Sequence, residues 1–439
     1  MNASLEPLDR DVWRIALPMI LSNLSVPLVG MVDTGVTGHL DSAAYLGAVA
    51  IGGTIFSFLY TGVNFLRMGT TGVAAQRLGA NDPEGLRTSL GQALIVALAI
   101  ALLLLLLQRP LGIFALNLIG ADPEIRAFAA EYFFIRIWSA PAALANFALI
   151  GWFIGLQNAR IPLLIVLVIN ITNIALDLLL VFIFDMTVDG VAAASVVAEF
   201  SGLLVGLAVA ASELKRRGGR WDRSQLLRLR AYAGFLSING HLFIRTMSLM
   251  FTFGFVTAQG ARQGGLILAA NAILMNLQNL LSFALDGFAH AAEALVGRAV
   301  GANSRGALQQ SVRITLRWSV YVALAFCALF LVTGPLFINV LTDLPDIRAT
   351  TMRYLPWMIL SPLVSVWSFL YDGVFVGATR AREMRDIMLV STFAVFLPAF
   401  YALRSLGNDG LWLAFLLFMA TRGIGMHYFY KARVLPAIR

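Results

Sequence analysis

Four polar side chains lie inside apolar stretches of the first half of this chain. Asp33 falls in "VGMVDTGVTG", Asn173 and Asp177 fall in "NITNIALDLLLVF", and Ser195 falls in "VDGVAAASVVAEF". A carboxylate in hydrocarbon costs about 3 kcal/mol or more, so such residues are rare and usually functional. Two carboxylates close together repel each other, and burial disfavours their charged forms, so such a pair can take up and release a proton near physiological pH.

The spacing of these residues predicts that they meet. At a rise of about 1.5 Å per residue, Asp33, Asp177 and Ser195 lie roughly 8, 10 and 9 Å from the predicted outer ends of their helices. Asn173 precedes Asp177 by four residues, which places both on one helix face. We therefore expect a site for proton or cation coupling in the outer leaflet. The alternative is that each acid only hydrogen-bonds a neighbouring backbone or hydroxyl group.

Composition gives the class of protein in which these residues must be positioned. Fifty-nine per cent of the residues are hydrophobic and 13% are charged, whereas about a quarter of a soluble domain is charged. The sequence therefore predicts an all-α polytopic membrane protein.

The net charge of +8 does not indicate a nucleic-acid partner, because the basic residues lie in short loops between apolar segments. Cys327 is the only cysteine, which excludes an intramolecular disulfide.

The apolar segments predict twelve transmembrane helices. Their approximate limits are 12–38, 46–76, 90–108, 127–156, 161–184, 189–211, 232–258, 266–297, 311–334, 350–378, 385–403 and 410–430. The first segment is too long for a signal peptide, and we expect it to be retained. The loop after the sixth segment, "SELKRRGGRWDRSQLLRLRA", is strongly basic. Because basic loops stay on the cytoplasmic side, we expect both termini to be cytoplasmic.

The second half of the chain repeats the first. "GAN" at Gly79–Asn81 recurs at Gly301–Asn303, and "SAPAALANFALIGWFIGLQNAR" is matched by "SPLVSVWSFLYDGVFVGATRAR" at an offset of 220–222 residues. "VDGVAAA" is echoed by "NDGLWLA" at an offset of 220 residues. We infer two six-helix lobes, 1–211 and 232–439, joined by a basic cytoplasmic linker at 212–231. An even number of helices per lobe makes the repeat parallel, and repeat transporters commonly use alternating access between such halves.

The repeat serves as an internal control. The positions equivalent to Asp177 and Ser195 fall near Ala399 and in "LWLAFLL", without an acid. The second half instead carries Arg245, Asp286 and Asp372 inside its apolar segments. Unlike charges in lipid should pair, so these three form a possible second-lobe charge network, either a structural ion pair or a group that faces the substrate.

Other chemistry is not indicated by the sequence. The chain has no phosphate-binding loop, no H-E-x-x-H metal motif and no nucleophile motif, so we expect neither an enzyme nor a bound cofactor. His39, His241 and His290 lie near helix ends or on apolar faces, where packed or interfacial histidines are more common than metal ligands. We therefore expect no metal site.

Several segments together resemble a known family. "LPMILSNLSVPLVGMVDTGVTGHL", "NITNIALDLLLVF", "DGVAAASVVAEF", "ALDGFAHAAEALVGRAVGA" and "LYDGVFVGATRAREMR" are similar to segments of the multidrug and toxic compound extrusion (MATE) family, in its bacterial DinF-type branch. The resemblance covers essentially the whole chain. It implies two six-helix bundles in a V shape, in a bacterial inner membrane, that export organic compounds against a proton or sodium gradient.

The family's proton-site motif corresponds to Asp33, Asn173, Asp177 and a hydroxyl on helix six, supplied here by Ser195. Val29 stands where some members have a tyrosine.

Two further features of the resemblance concern the ion and the shape of helix one. Helix seven carries Arg245 where sodium-coupled members have an acid, and Asp372 is off register, so the resemblance favours protons. Pro18 matches a proline proposed to bend helix one, and Pro27 is a second helix breaker, so both are candidate hinges.

The leading hypothesis is a proton-coupled antiporter that exports amphipathic, often cationic, drug-like molecules as a monomer in the lipid bilayer. A sodium-coupled drug antiporter and a flippase for lipid-linked precursors of the same superfamily are the alternatives. A membrane scaffold or channel is a third possibility, which the first-half acids and the close repeat disfavour.

Overall fold

The structure is a computed structural model that describes residues 6–438, and these residues form helices without any strand. Twelve helical segments in this range are long and apolar enough to cross a membrane, and each overlaps one of the twelve predicted spans. The prediction of an all-α polytopic membrane protein is confirmed. The outermost residues of the two predicted lobes, 1–5 and 439, lie outside the described residues.

The first half contains nine α-helices and a short 3₁₀-helix before the linker. The α-helices are α1 (Glu6–Thr37), α2 (Ala43–Val63), α3 (Phe65–Gly79), α4 (Pro83–Leu106), α5 (Gln108–Ile119), α6 (Pro123–Arg136), α7 (Ala140–Gly155), α8 (Arg160–Phe182) and α9 (Val188–Arg217), and the 3₁₀-helix is Ile137–Ser139. Two spans of the first half contain more than one of these helices. One is formed by α2 with α3, and the other by α6 with the 3₁₀-helix and α7.

The linker and the second half complete the chain. The linker holds α10 (Arg223–Leu227) and a 3₁₀-helix (Leu229–Tyr232), followed by α11 (Ala233–Arg262), α12 (Gly265–Gly301), α13 (Arg305–Leu341), α14 (Pro345–Gly377), α15 (Ala381–Leu389), α16 (Leu397–Ala402) and α17 (Asn408–Phe429). Two π-helices (Val390–Phe396 and Tyr430–Val434) and two 3₁₀-helices (Arg404–Leu406 and Leu435–Ala437) lie between or after them.

The chain divides into two compact units. The first unit is Leu21–Ala233, and the second unit is the chain from Gly234 onward together with α1 as far as Ile20. This division differs from the predicted lobes, which assign all of α1 to the first half. The reason is aromatic packing: the ring of Trp13 lies edge-on to those of Phe288 and Trp318, with 5.2 Å between centroids in each case.

The predicted repeat has a structural counterpart in the close crossing of two helix pairs. Gly151 of α7 lies against the backbone of α3, where a Cβ atom would come within 2.3 Å of the carbonyl oxygen of Arg67. Gly373 of α14 lies in the same way against α12, where a Cβ atom would come within 2.2 Å of the carbonyl oxygen of Ala289. Glycine therefore lets the two backbones touch at equivalent places in both halves.

The two "GAN" sequences form the same turn. Asn81 and Asn303 adopt left-handed backbone conformations, with φ of 51° and 49°, and asparagine tolerates this region better than most residues. The next residue caps the following helix in both cases. The Asp82 side chain accepts a hydrogen bond from the Gly85 backbone N–H, and that of Ser304 accepts one from Ala307.

The linker packs against α4 of the first unit. The Arg87 side chain donates a 2.7 Å hydrogen bond to the Gly218 carbonyl, and Gln92 donates one of 3.2 Å to the Gln225 carbonyl. Asp222 caps α10 through Ser224, and this hydrogen bond holds the pKa of the Asp222 carboxyl below its usual range. The segment predicted as a linker therefore belongs to the first unit.

Candidate functional site

Three helices of the first unit bring the predicted polar residues together. Asp33 comes from α1, Asn173 and Asp177 come from α8, and Ser195 comes from α9. All four are buried, and Asp177 has no exposed surface at all. The Asn173 amide nitrogen donates to the Ser195 hydroxyl across 3.4 Å, so α8 and α9 are joined beside the acids.

The two carboxyl groups lie within hydrogen-bonding reach of each other. Asp33 Oδ1 and both carboxylate oxygens of Asp177 are buried without a hydrogen-bond donor from the described residues. Buried acceptors are almost always paired, and an unpaired one carries a free-energy cost of about 1–3 kcal/mol. A proton between the two carboxyl groups would supply the missing donor, which makes this pair chemically suited to proton uptake.

Arg136, the last residue of α6, is a charged neighbour that the sequence interpretation did not include. Its guanidinium group donates to the hydroxyl of Tyr132, one helical turn earlier. The same group lies 5.0 Å from the ring centroid of Phe56 on α2, a cation–π contact. Arg136 also interacts electrostatically with both Asp33 and Asp177.

A cavity of about 280 Å³ adjoins the first acid. Asp33 and Thr37 of α1 line one side, residues of α2 such as Ser57 line another, and Tyr132 closes it from α6. Val29 of α1, one turn before Asp33, is apolar, and the phenol at this cavity comes from Tyr132 of α6. The volume is near the lower end of about 300–1,000 Å³ that is typical of small-molecule sites.

Two further polar groups surround this site. Glu199 follows Ser195 by one turn of α9, and its carboxylate accepts a 2.9 Å hydrogen bond from the Asn146 amide. The hydroxyl groups of Tyr60 on α2 and Ser139 lie 2.6 Å apart. Glu199 and Tyr60 both interact electrostatically with Arg136, so the arginine lies among acids and phenols from five helices.

The second unit buries a different arrangement of charges. Asp372 of α14 accepts hydrogen bonds from the guanidinium groups of Arg245 on α11 and Arg422 on α17, the latter at 2.7 Å. Arg422 is almost fully buried and also interacts electrostatically with Asp286 of α12. The three charged residues singled out from the sequence therefore meet around Arg422, a fourth that the sequence interpretation omitted.

Arg136 and Arg422 could have been recognised from the sequence as candidate site residues. Arg136 stands in "YFFIRIWSAP" and Arg422 in "FMATRGIGM", each as a single charge inside an apolar segment. The rule that intramembrane charges have partners applies to them as it does to the aspartates. The partners themselves lie on other helices, which composition and spacing do not reveal.

The MatE family profile matches residues 18–179 and 242–402, so it covers each half separately. The DNA damage-inducible protein F of Escherichia coli K12 is 43% identical over 97% of this chain and 92% of its own length.

The chain belongs to the MATE family of multidrug efflux transporters.

More distant MATE relatives and solved structures also cover most of the chain. The probable multidrug resistance protein NorM of Thermotoga maritima is 24% identical over 92% of this chain and 88% of its own length. A crystal structure of MATE in the bent conformation superposes with a TM-score of 0.90 at 17% identity, covering 100% of this chain and 98% of that one. The Vibrio cholerae MATE transporter VcmN in the bent form gives 0.88 at 21% identity, covering 99% of both chains. This MATE protein is thus a multi-pass membrane transporter and not an enzyme.

Proposed function

We propose that this MATE protein is a proton-coupled antiporter that exports amphipathic, often cationic, organic compounds by alternating access. Asp33 and Asp177 are the coupling pair, while Asn173 and Ser195 orient it. A proton that binds the pair from outside neutralises one carboxylate and changes the hydrogen bonds between α1, α8 and α9. This can drive transport only if the proton binds the outward and inward states with different affinity.

The observation that carries this proposal is the donor-poor carboxyl pair. The carboxylate oxygens of Asp177 are fully buried, and no donor among the described residues reaches them, while Asp33 lies alongside. An acid pair held only for architecture would be expected to have its oxygens satisfied. The adjoining cavity, lined by Asp33 and Tyr132, gives the first acid of the pair an open space from which a proton can reach it.

Protons are favoured over Na⁺ by the charges of the second unit. Asp372 is occupied by the guanidinium groups of Arg245 and Arg422, so its hydrogen-bonding capacity is used by fixed cations. We therefore place coupling in the first unit and assign Arg245, Asp286 and Asp372 a structural role. No cofactor or metal enters this mechanism.

We further propose that the chain lies in the bacterial inner membrane as a monomer, with both termini in the cytoplasm. The support is the basic segment Lys215–Arg230, which begins in the last turn of the sixth span, and the even number of spans per half. Pro18 and Pro27 are proposed hinges of α1. The division between the two compact units falls between them, at Ile20 and Leu21, although α1 is a continuous helix through both.

The experiment is transport of a fluorescent organic cation in proteoliposomes that contain the purified chain, under separately imposed gradients. An inward-directed proton gradient should drive uphill movement of the cation, and a Na⁺ gradient at constant pH should not. Movement driven only by Na⁺ would replace the proton assignment. If neither gradient moves the cation, a fluorescent lipid-linked sugar tests the flippase alternative in the same vesicles.

A further inference from the structure

Arg136 is held in a fixed position beside the coupling pair. Its guanidinium carbon lies 5.0 Å from the ring centroid of Phe56 and 5.4 Å from that of Tyr132. The guanidinium group also donates a hydrogen bond to the Tyr132 hydroxyl. Tyr132 is fully buried and lines the same cavity as Asp33. An arginine that is stacked on two rings and hydrogen-bonded to one of them loses most of its rotamer freedom, so its charge stays in place.

The titratable groups around this guanidinium come from every helix packed near it. They are Asp33 on α1, Tyr60 on α2, Tyr132 on α6 itself, Asp177 on α8 and Glu199 on α9. Arg136 is the one cation that these interactions share. In a half-buried site a unit charge acts over several ångströms with little screening, so any ion that approaches Asp33 and Asp177 also meets Arg136.

We propose that Arg136 is the ion-selectivity residue of the first unit, and that its fixed charge beside the Asp33–Asp177 pair excludes Na⁺ while the pair still accepts a proton. This inference rests on the proposed proton coupling and adds the residue that determines it. Arg136 acts through the carboxyl pair, so it is a positioning residue for the ion and not a coupling residue itself.

The discrimination follows from how the two ions bind. A proton forms a covalent O–H bond with one carboxylate oxygen and needs only one acceptor beyond it, so it can sit between Asp33 and Asp177. A bare Na⁺ must replace its hydration shell with several oxygen ligands and needs both carboxylates ionised around it. The intrinsic affinity of carboxylates for a proton is high and that for Na⁺ is low, so the same repulsion from Arg136 removes Na⁺ binding but leaves protonation.

The test compares Arg136→Gln and Arg136→Lys with the wild-type full-length chain. Glutamine removes the charge and keeps a polar end, whereas lysine keeps the charge without the planar fork. Binding of radiolabelled Na⁺ to the purified protein and cation transport under separate proton and Na⁺ gradients are measured for all three. We expect Arg136→Gln to gain Na⁺ affinity by about tenfold or more, as for the loss of one like charge from a partly buried site, and to gain Na⁺-driven transport.

A second readout is the pH at which proton-driven transport is half-maximal. Loss of the positive charge makes protonation of the pair easier, so this midpoint should move to higher pH in Arg136→Gln and stay close to that of wild type in Arg136→Lys. A purely structural role of Arg136 would lower activity without moving the midpoint. Arg353→Gln is the matched control, because Arg353 is exposed and stacks on Tyr354 at 5.5 Å in the second unit.

The outcomes separate the two proposals. If wild type responds to Na⁺ and not to protons, the proposed function is wrong. If wild type responds to protons and Arg136→Gln, folded and able to bind the fluorescent cation, shows no Na⁺ binding, the selectivity role is wrong. Na⁺ binding by Arg136→Lys equal to that of the glutamine variant also contradicts it. Should Arg136→Gln not accumulate in the membrane, Arg136→Met keeps the aliphatic packing on Phe56 and gives the same comparison.

Discussion

The buried aspartates of the two units have different surroundings. Asp372 is bound by two guanidinium groups, while Asp177 has no donor for either oxygen among the described residues and lies beside Asp33. The two guanidinium groups supply Asp372 with fixed hydrogen-bond donors, whereas two adjacent carboxylates compete to hold one proton. The same residue type is therefore suited to structure in one unit and to proton exchange in the other.

Asp33→Asn should abolish proton-driven export and leave a folded, membrane-inserted protein. Asparagine has the shape of the neutral acid but cannot titrate, so the proton gradient can no longer change the charge at this position. Asp177→Asn should behave in the same way, and the double variant should be little worse than either single one, because the two act as a unit. Export from proteoliposomes measures this, with Asp41→Asn, an exposed acid after α1, as the control. Full export by Asp33→Asn would make that carboxylate structural.

Arg422→Met should destabilise the second unit, and Asp372→Leu should destabilise it more. Removal of Arg422 leaves Asp372 paired with Arg245, while removal of Asp372 leaves two buried guanidinium groups without their shared carboxylate. Breaking a buried pair costs about 3–5 kcal/mol. The midpoints of thermal unfolding in detergent rank the stability of the two variants and the wild type. Equal midpoints for wild type and Asp372→Leu would show that this network does not stabilise the fold.

At the scale of the helices, glycine decides which pairs pack most closely. Gly155 of α7 and Gly377 of α14 follow Gly151 and Gly373 by one turn, and a Cβ atom at either would come within 3 Å of a neighbouring backbone. Each pair of glycines therefore makes a flat face one turn long. Because membrane helices gain association energy chiefly from close packing, these faces fix the α3–α7 and α12–α14 crossings.

Gly151→Ala and Gly373→Ala should each lower the thermal midpoint, since a methyl group has no room against Arg67 or Ala289 backbone oxygens. Overpacking of this kind costs about 1–3 kcal/mol. Gly254→Ala on α11 is the control, because a Cβ there meets nothing within 4 Å, and alanine is the better helix former. If Gly254→Ala lowers the thermal midpoint as much as Gly151→Ala does, the effect does not arise from close contact between helices.

Pro18→Ala should reduce transport while drug binding stays measurable, if the missing backbone donor lets α1 adopt two shapes. The helix interior gains a hydrogen bond from alanine, which favours the straight form. Rates of uptake and equilibrium binding of the fluorescent cation are compared in the same preparation. Transport equal to that of wild type would make Pro18 a passive feature of the helix.

At the scale of the whole molecule, the twelve spans and the distribution of basic residues predict a topology. The linker lies against α4, so its arginines are gathered at one end of the first unit. The turn around Gly264, between α11 and α12, is at the opposite end of α11 from the linker. In a membrane these two places belong to opposite sides.

Cysteines at Arg217 and Gly264 should therefore react with an impermeant thiol reagent from opposite sides in intact cells, the former only after permeabilisation. Cys327, the one native cysteine, is first replaced by alanine, and that variant without new cysteines is the control for background labelling. Reaction of both positions from outside would overturn the twelve-span topology with cytoplasmic termini.

The features that depend on local order along the chain could be predicted from the sequence. Each span satisfies its own backbone hydrogen bonds, so length and hydropathy predict it, and the 220–222-residue offset shows the repeat. Helical spacing predicted that Asp33, Asp177 and Ser195 lie at one level, because the rise per residue is constant.

The packing of one helix face against another is apparent only in the folded chain. The attachment of the first part of α1 to the second unit, the approach of Arg136 to the acid pair and the position of Arg422 between Asp372 and Asp286 all join residues far apart in sequence. These contacts arise from the packing of side chains between helices, and that packing has no period along the chain. For this reason a single charge in an apolar segment predicts that a partner exists, but the partner residue is identified only by the tertiary structure.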